Sequence, residues 1–149
     1  MCTAICYRSN ASYFGRNLDL DRGYGEGVVI TPRNYEIKMR CEKPIKSHYA
    51  MIGMACVVDG FPLYYDATNE KGLSVAGLNF PGNADYKPHC PGKDNVSPFE
   101  LIPWILGQCA TVKQAVELLE KVHLTDEAFS DKLPPSPLHW MIADGTRCF

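Results

Sequence analysis

The sequence has no long hydrophobic run and little excess of charge of either sign. None of its apolar segments approaches the roughly 20 consecutive residues that a membrane-spanning helix requires, so an integral membrane protein is not expected. The formal net charge of −2 gives no electrostatic reason to expect a nucleic acid or an anionic membrane as a partner. The N-terminus lacks the basic and apolar regions of a secretory signal peptide, and we therefore expect a cytoplasmic protein.

The cysteines lack the C-x-x-C spacing of a zinc site. They are seven in number and scattered along the chain. In a reducing compartment such cysteines are most simply interpreted as free thiols that pack as small hydrophobic groups. The adjacent pair His89-Cys90 is the feature that favours a metal, and no second pair accompanies it. We therefore predict no metal site.

Length and apolar patterning indicate a single domain of mixed α+β class. The chain has 149 residues, 46% of them apolar, and shows no internal repeat or inter-domain linker. Short apolar and aromatic runs predict strands at TAICY, SYFGRN, GVVITP and YAMIGMACVV, on both sides of a turn at Asn69–Gly72, and at LHWMIAD. YAMIGMACVV is apolar enough to be buried on both faces. Capping-box patterns predict helices that begin at Ser97-Pro98-Phe99-Glu100 and at Thr111.

Cys2 follows the initiator methionine directly, and methionine is usually removed when the next residue is small. Its removal would leave a thiol and a free α-amino group on the same residue. The thiolate is the nucleophilic form of cysteine, and an α-amino group titrates at about 7.7–8.0, near enough to neutral pH to act as a base. An N-terminal cysteine can therefore supply both a nucleophile and its base.

Three polar residues are candidates for the groups that such a nucleophile needs. Arg16 would favour the thiolate and Asp19 would orient the amine, but their spacing requires the strand to bend or end near Leu18. Asn79, where a strand gives way to a loop, offers an amide to an oxyanion. Taken singly, the same residues have plainer interpretations: an incidental cysteine at position 2, a surface ion pair and a turn residue.

Six sequence motifs carry a family resemblance: MCTAI, FGRNLDLD, ITPRNY, YAMIGMA, NEKGLSVAGLNFP and LHWMIAD, which extend from residue 1 to about residue 144. Their order and spacing resemble the choloylglycine hydrolase family, the bile salt hydrolases and penicillin V acylases. The resemblance implies a bacterial, cytoplasmic amidase with the αββα sandwich of the N-terminal-nucleophile hydrolases. It also implies a small-molecule substrate, no cofactor, and a homo-oligomer, since family members often form tetramers.

The resemblance assigns roles to Cys2 and to the three polar candidates. Cys2 would be the nucleophile and its freed amine the base, Arg16 would lie against the thiol, and Asp19 would bind the α-amino group. Asn79 would help to hold the oxyanion. Asparagine at this position resembles the bile salt hydrolases, whereas many penicillin V acylases have tyrosine there. A glycine- or taurine-conjugated bile salt is therefore the expected substrate, and a penicillin V acylase type of amidase is the alternative.

The resemblance also implies an apolar pocket for the steroid. It would draw on Leu18, on the segment Phe61–Tyr65 and on the loop around Leu124–Phe129, so that Leu18, Phe61, Tyr65, Leu124 and Phe129 are the candidate substrate-binding residues. Large apolar residues in loops often simply pack against the core, which is the plainer interpretation of all five.

This chain differs from the members of the family in its length. Family members are about twice as long and take an asparagine and an arginine of the active site from their second half. We therefore expect residues 1–149 to be the N-terminal portion of a single domain, apparently truncated, because the turn at Asp144-Gly145 is followed by no partner strand. An inactive fragment that only binds a ligand or a partner is accordingly the alternative from a different functional class.

Overall fold

A computed structural model describes residues 2–149, which form a five-stranded antiparallel sheet, two short helices and two separate strand pairs. The central sheet has the strand order β3-β4-β5-β6-β9, while β1 pairs with β2 and β7 pairs in parallel with β8. The elements are β1 Thr3–Arg8, β2 Ser12–Asn17, β3 Gly27–Thr31, β4 Met51–Val58, β5 Phe61–Asn69, β6 Ser74–Asn79, β7 Asp94–Val96, α1 Leu101–Gln108, α2 Val112–Leu119, β8 Val122–Leu124 and β9 Leu138–Ala143.

The N-terminal hairpin follows the predicted alternation. Its first and last pairs are Thr3 with Asn17 and Arg8 with Ser12. Along β1 and β2, the even-numbered positions 4, 6, 14 and 16 are half-buried, whereas Ile5 and Tyr7 are exposed. Strand β2 ends at Asn17, which confirms the predicted strand end near Leu18 and frees the residues after it from the alternation of the strand.

The core lies between the central sheet and the helices. Helix α1 packs against β4, β5 and β6, and its Ile105 and Leu106 are fully buried with Val75 of β6. The opposite face of the sheet is not covered near β3 and β4. In the described part of the chain, Ile30 and Ile52 are exposed there, and the exposed fraction of Ile52 is 47%. The expectation that β4 is buried on both faces is therefore wrong for residues 2–149.

A β-bulge interrupts the pairing of β4 with β5. Met54 pairs with Asp66 and Ala55 pairs with Tyr64, which leaves Tyr65 as an extra residue. A bulge shifts the alternation of side chains by one residue. Tyr64 before it and Ala67 after it are both buried in the core beneath the helices. Asp66 therefore lies on the face of the sheet opposite the helices.

The two predicted helix starts have different outcomes. Helix α2 begins as predicted, with the Thr111 hydroxyl accepting the Gln114 N–H at 3.3 Å. Helix α1 begins at Leu101, three residues later than the predicted first position, Pro98. Residues 98–100 form a turn instead, although Glu100 accepts the Ser97 N–H at 2.9 Å as a capping box requires.

Candidate active site

The N-terminal hairpin brings Cys2 and Arg16 to the same face. Ala4 lies opposite Arg16 in the pairing of β1 with β2. When the alternation of β1 is continued by two residues from Ala4, Cys2 becomes the diagonal neighbour of Arg16, a relationship within reach of a long side chain. The Thr3 N–H donates to the Asn17 side-chain oxygen at 2.6 Å, which fixes the start of β1. The register therefore predicts that the partly buried Cys2 thiol lies near the cationic side chain of Arg16.

The guanidinium of Arg16 is buried, and two of its nitrogens make no hydrogen bond with residues 2–149. Its side chain is only 7% exposed. Nη2 donates to the Gly77 carbonyl oxygen at 2.6 Å, while Nε and Nη1 make no hydrogen bond with residues 2–149. The side chain borders a cavity of about 490 Å³ that Phe14, Leu18 and Thr68 also line. A guanidinium with unused donors at a cavity can interact with an anionic thiolate or with a polar substrate group.

Asp66 faces Arg16 from the central sheet. The Arg16 Nε lies 3.5 Å from the Asp66 Oδ2, and the Asp66 side chain is 22% exposed. Burial raises the pKa of the Asp66 carboxyl, whereas the charge of Arg16 and a hydrogen bond from the Met54 N–H oppose that shift. Two opposite charges are therefore withdrawn together from water at this face of the sheet.

Asp19 lies two residues beyond the end of β2. A hydrogen bond with the α-amino group of the chain, and then the charge of that group, lower the pKa of the Asp19 carboxyl. Such an interaction is expected of a carboxylate that orients a terminal amine. The predicted removal of Met1 concerns a residue outside the described range, and the part that Asp19 would play in a chain starting at Cys2 stays a prediction.

Asn79 is the last residue of β6, at the edge where this strand gives way to a loop. It pairs with Leu138 of β9 and is exposed. It lies two residues beyond Gly77, whose carbonyl oxygen holds Arg16, and two residues of a strand span about 7 Å. The exposed amide is thus free to donate to a group bound close to Arg16.

The structure divides the five predicted substrate-binding residues among different places. Leu18 lines the cavity beside Arg16. Phe61 and Phe129 contact each other with ring centroids 5.9 Å apart, and Phe99 packs edge-on against both. The Arg40 guanidinium carbon lies 5.1 Å from the centre of the Phe129 ring. These contacts form an aromatic cluster whose arginine was not predicted.

Tyr65 and Leu124 have other surroundings. Tyr65 is the extra residue of the bulge in β5, where burial raises the pKa of its hydroxyl. Leu124 ends β8 and packs against the core. Their proposed contact with a substrate stays a prediction.

Asp66 is the site residue that sequence reasoning missed. Its signal is a single acidic residue inside the otherwise apolar and aromatic run FPLYYDA. Strict alternation would place Asp66 on the same face as Tyr64, beneath the helices, and only the bulge turns it towards Arg16. A bulge depends on the register with the partner strand, which the sequence of β5 alone does not specify.

The described part of the chain has neither a cluster of metal-ligating side chains nor a membrane-spanning helix. Residues 2–149 contain no group of three or more histidine, cysteine or acidic side chains arranged to hold a metal ion. Between the same limits, no helix is long and apolar enough to cross a membrane.

Comparisons with known proteins support one family. Residues 2–148 match the family described as linear amide C–N hydrolases, choloylglycine hydrolase family. The bile salt hydrolase/transferase of Lactiplantibacillus plantarum is 52% identical over 144 residues, covering 97% of this chain and 44% of that protein. The conjugated bile acid hydrolase of Lactobacillus gasseri is 42% identical over 147 residues, covering 97% of this chain and 46% of that protein.

Solved structures show the fold. The C2A mutant of the conjugated bile acid hydrolase from Clostridium perfringens aligns with a TM-score of 0.91 and 32% identity, over 98% of this chain and 46% of that chain. Penicillin V acylase from Agrobacterium tumefaciens aligns with a TM-score of 0.70 and 20% identity, over 97% of this chain and 43% of that one. The predicted fold class is confirmed, and the chain spans slightly less than half the length of these relatives.

Proposed function

We propose, because this chain belongs to the choloylglycine hydrolase family, that it carries the nucleophile of an amidase acting on glycine- or taurine-conjugated bile salts. The family prediction made from the six motifs is confirmed by the match over residues 2–148. The observation that supports the proposed chemistry is the hairpin register, in which the buried Arg16 lies opposite Ala4, two residues from Cys2. The activity belongs to the whole protein that contains these residues.

The proposed first step is acyl transfer to Cys2. The α-amino group of a chain that begins at Cys2 takes the thiol proton, and the sulfur attacks the amide carbonyl carbon of the substrate. The resulting oxyanion accepts a hydrogen bond from the Asn79 side chain. The C–N bond then breaks, and the ammonium returns its proton to the departing nitrogen of glycine or taurine. A bile acyl thioester remains on Cys2.

The second step is hydrolysis of that thioester. Water attacks the same carbonyl carbon, gives a proton to the α-amino group, and displaces the Cys2 sulfur, which is then protonated again. The free bile acid leaves. The cation of Arg16 favours the thiolate in both steps, and the carboxylate of Asp19 stabilises the amine in its charged form.

Three observations favour a conjugated bile salt over penicillin V. The relatives named as bile salt or conjugated bile acid hydrolases are 52% and 42% identical to this chain. The penicillin V acylase is 20% identical over the aligned residues and shows a common fold only. Position 79 is asparagine, as the family resemblance predicts for bile salt hydrolases. The aromatic cluster of Phe61, Phe99 and Phe129 offers an apolar surface for a steroid.

A comparison of three substrates tests the proposal. The purified protein containing these residues is incubated separately with glycocholate, taurocholate and penicillin V, and the released amine or acid is quantified. We expect faster hydrolysis of the bile salts, and faster hydrolysis of penicillin V would replace the proposed substrate with the alternative. Residues 1–149 assayed alone test the alternative of an inactive fragment. If amide cleavage is absent from this segment but present in the longer protein, its residues need groups supplied from elsewhere in that protein.

The proposal also covers the oligomeric state and the cellular location of the protein. We expect a homo-oligomer, tetrameric as many family members are, in the cytoplasm of a bacterium. Light scattering coupled to size-exclusion chromatography measures the oligomeric state, and fractionation of the source cells measures the location.

A further inference from the structure

Asp66 is the acidic side chain that the structure, within residues 2–149, brings to ion-pair distance of Arg16. We propose that Asp66 is a positioning residue whose carboxylate holds the Arg16 guanidinium against Cys2. This inference builds on the proposed function, since it gives Asp66 a part in activating the nucleophile. It assigns to Asp66 no contact with the substrate.

The bulge at Tyr65 determines which face of the sheet Asp66 occupies. Without it, Asp66 would share a face with Tyr64 and enter the core beneath the helices. The bulge instead directs Asp66 to the face where it meets Arg16, and the Asp66 Oδ1 lies 3.5 Å from the N–H of Met54, the residue it pairs with. Bulges frequently redirect a side chain beside an active site. The backbone is thus arranged so that this carboxylate reaches the arginine.

Arg16 has few polar partners among residues 2–149. Its hydrogen bond to the neutral Gly77 carbonyl anchors one end of the guanidinium, and the Asp66 carboxylate lies beside Nε at the other end. Two contacts from two different strands define the orientation of a planar group. A side chain that is 7% exposed cannot keep its charge at low cost without an opposite charge nearby. Without the Asp66 charge, Arg16 would gain by moving towards water.

The opposing signs of two effects allow a sharp test. Asp66→Asn keeps the shape of the side chain but removes a negative charge near Cys2. If Asp66 acted only through its charge, its loss would favour the Cys2 thiolate and would shift the pH midpoint of Cys2 alkylation downward. If Asp66 instead positions Arg16, Asp66→Asn lets the guanidinium move away from Cys2, and the midpoint of Cys2 alkylation shifts upward. The two interpretations therefore predict shifts in opposite directions.

The experiment measures the rate at which iodoacetamide alkylates Cys2 as a function of pH, by mass spectrometry of the N-terminal peptide of the full protein. For Asp66→Asn we expect the midpoint to rise by about one pH unit, a tenfold change in the thiolate equilibrium. We expect kcat for a conjugated bile salt to fall by about 10²-fold, as for a misplaced catalytic group, with a smaller change in KM. Asp66→Glu, which keeps the carboxylate, should recover part of both losses.

Asp85→Asn is the matched control. Asp85 forms an exposed ion pair with Lys87, with 2.8 Å between the Lys87 Nζ and the Asp85 Oδ1. The control removes the same charge from the same residue type, and it should leave both the alkylation midpoint and kcat as they are in the parent protein.

A double-mutant cycle tests whether Asp66 acts through Arg16. Once Arg16→Gln has removed the guanidinium, adding Asp66→Asn should not raise the midpoint further. An unchanged or lowered midpoint in folded Asp66→Asn overturns the inference, and so does an additive effect in the double variant. If Asp66→Asn fails to fold, Asp66→Ser takes its place, and an unchanged or lowered midpoint in that variant overturns the inference.

Alkylation also separates this inference from the proposed function, because it needs no amide hydrolysis. A raised midpoint in Asp66→Asn of a protein that does not hydrolyse bile salts supports the positioning role while the proposed substrate fails. Bile salt hydrolysis in the parent together with an unmoved midpoint in Asp66→Asn supports the proposed function and removes Asp66 from it.

Discussion

Gly53 of β4 lies directly opposite Ala67 of β5, and a β-carbon placed on Gly53 would come within 2.6 Å of the Ala67 side chain. The pair is next to the bulge that turns Asp66 towards Arg16. Real β-carbons do not approach other atoms so closely, so the two strands have this spacing only because residue 53 is glycine. The close approach of the two strands beside the bulge therefore depends on Gly53.

Gly53→Ala should destabilise the protein. The added methyl group meets backbone and side-chain atoms that cannot rotate away, and such overpacking costs about 1–3 kcal/mol. Urea unfolding measures the loss. Gly27→Ala on the neighbouring strand is the control, since nothing lies within 4 Å of its added β-carbon. It should change the free energy of unfolding by no more than about 0.5 kcal/mol. Equal stability of both variants would contradict the close approach at Gly53.

Asn79→Ala should reduce turnover without unfolding the protein. The Asn79 side chain is exposed at the end of β6 and contributes little packing. Loss of one oxyanion donor typically lowers kcat by about 10²–10³-fold. Steady-state kinetics with glycocholate measure the loss. Asn83→Ala is the matched control, because Asn83 is exposed and its side chain donates to the carbonyl oxygen of the nearby Pro81. If both variants turn over like the parent, the role assigned to Asn79 is wrong.

Glu70 should make stability depend on pH in acid. Its hydrogen bonds from the Arg33 side chain and from the Ala50 N–H lower the pKa of the Glu70 carboxyl from 4.5 to about 2. The folded-state pKa is below the unfolded one, so the stabilisation is fully present above about pH 4.5 and is lost as the pH falls towards about 2. Thermal unfolding between these limits should show a steeper loss for the parent than for Glu70→Gln.

Glu117→Gln is the control for that measurement. Glu117 forms an exposed pair with Lys113 on α2, with 3.9 Å between the charged atoms. Its pH profile should match that of the parent, since exposed pairs of this kind contribute little. Parallel profiles for the parent and Glu70→Gln would show that the Arg33–Glu70 pair has no such effect.

Much of the site was predictable from local sequence patterns. The hairpin and the strand end before Leu18 follow from alternation and turn residues, which act over a few positions. The turn at Asn69–Gly72 was predictable for the same reason, since Gly72 adopts a φ of 85° that favours glycine. The placement of Cys2 near Arg16 needs only these local features.

Features that depend on distant pairing were not predictable. The bulge at Tyr65 arises from the register between β4 and β5, and Asp66 was missed for that reason. The parallel pair of β7 and β8 joins two segments of three residues each, too short for a periodic pattern to mark them. Helix α1 begins later than predicted, and the hydroxyl of Ser97, its predicted N-cap, pairs with Thr125 in a distant part of the chain.

The central claim is that Cys2 is the nucleophile and carries the free α-amino group. Rapid quenching of the full protein with a conjugated bile salt, followed by peptide mass spectrometry, tests it directly. We predict an N-terminal peptide that lacks Met1 and carries the bile acyl group on Cys2, and we predict that Cys2→Ser reduces turnover by several orders of magnitude. Rapid turnover by a protein that retains Met1, or an acyl group on a residue other than Cys2, would contradict the claim.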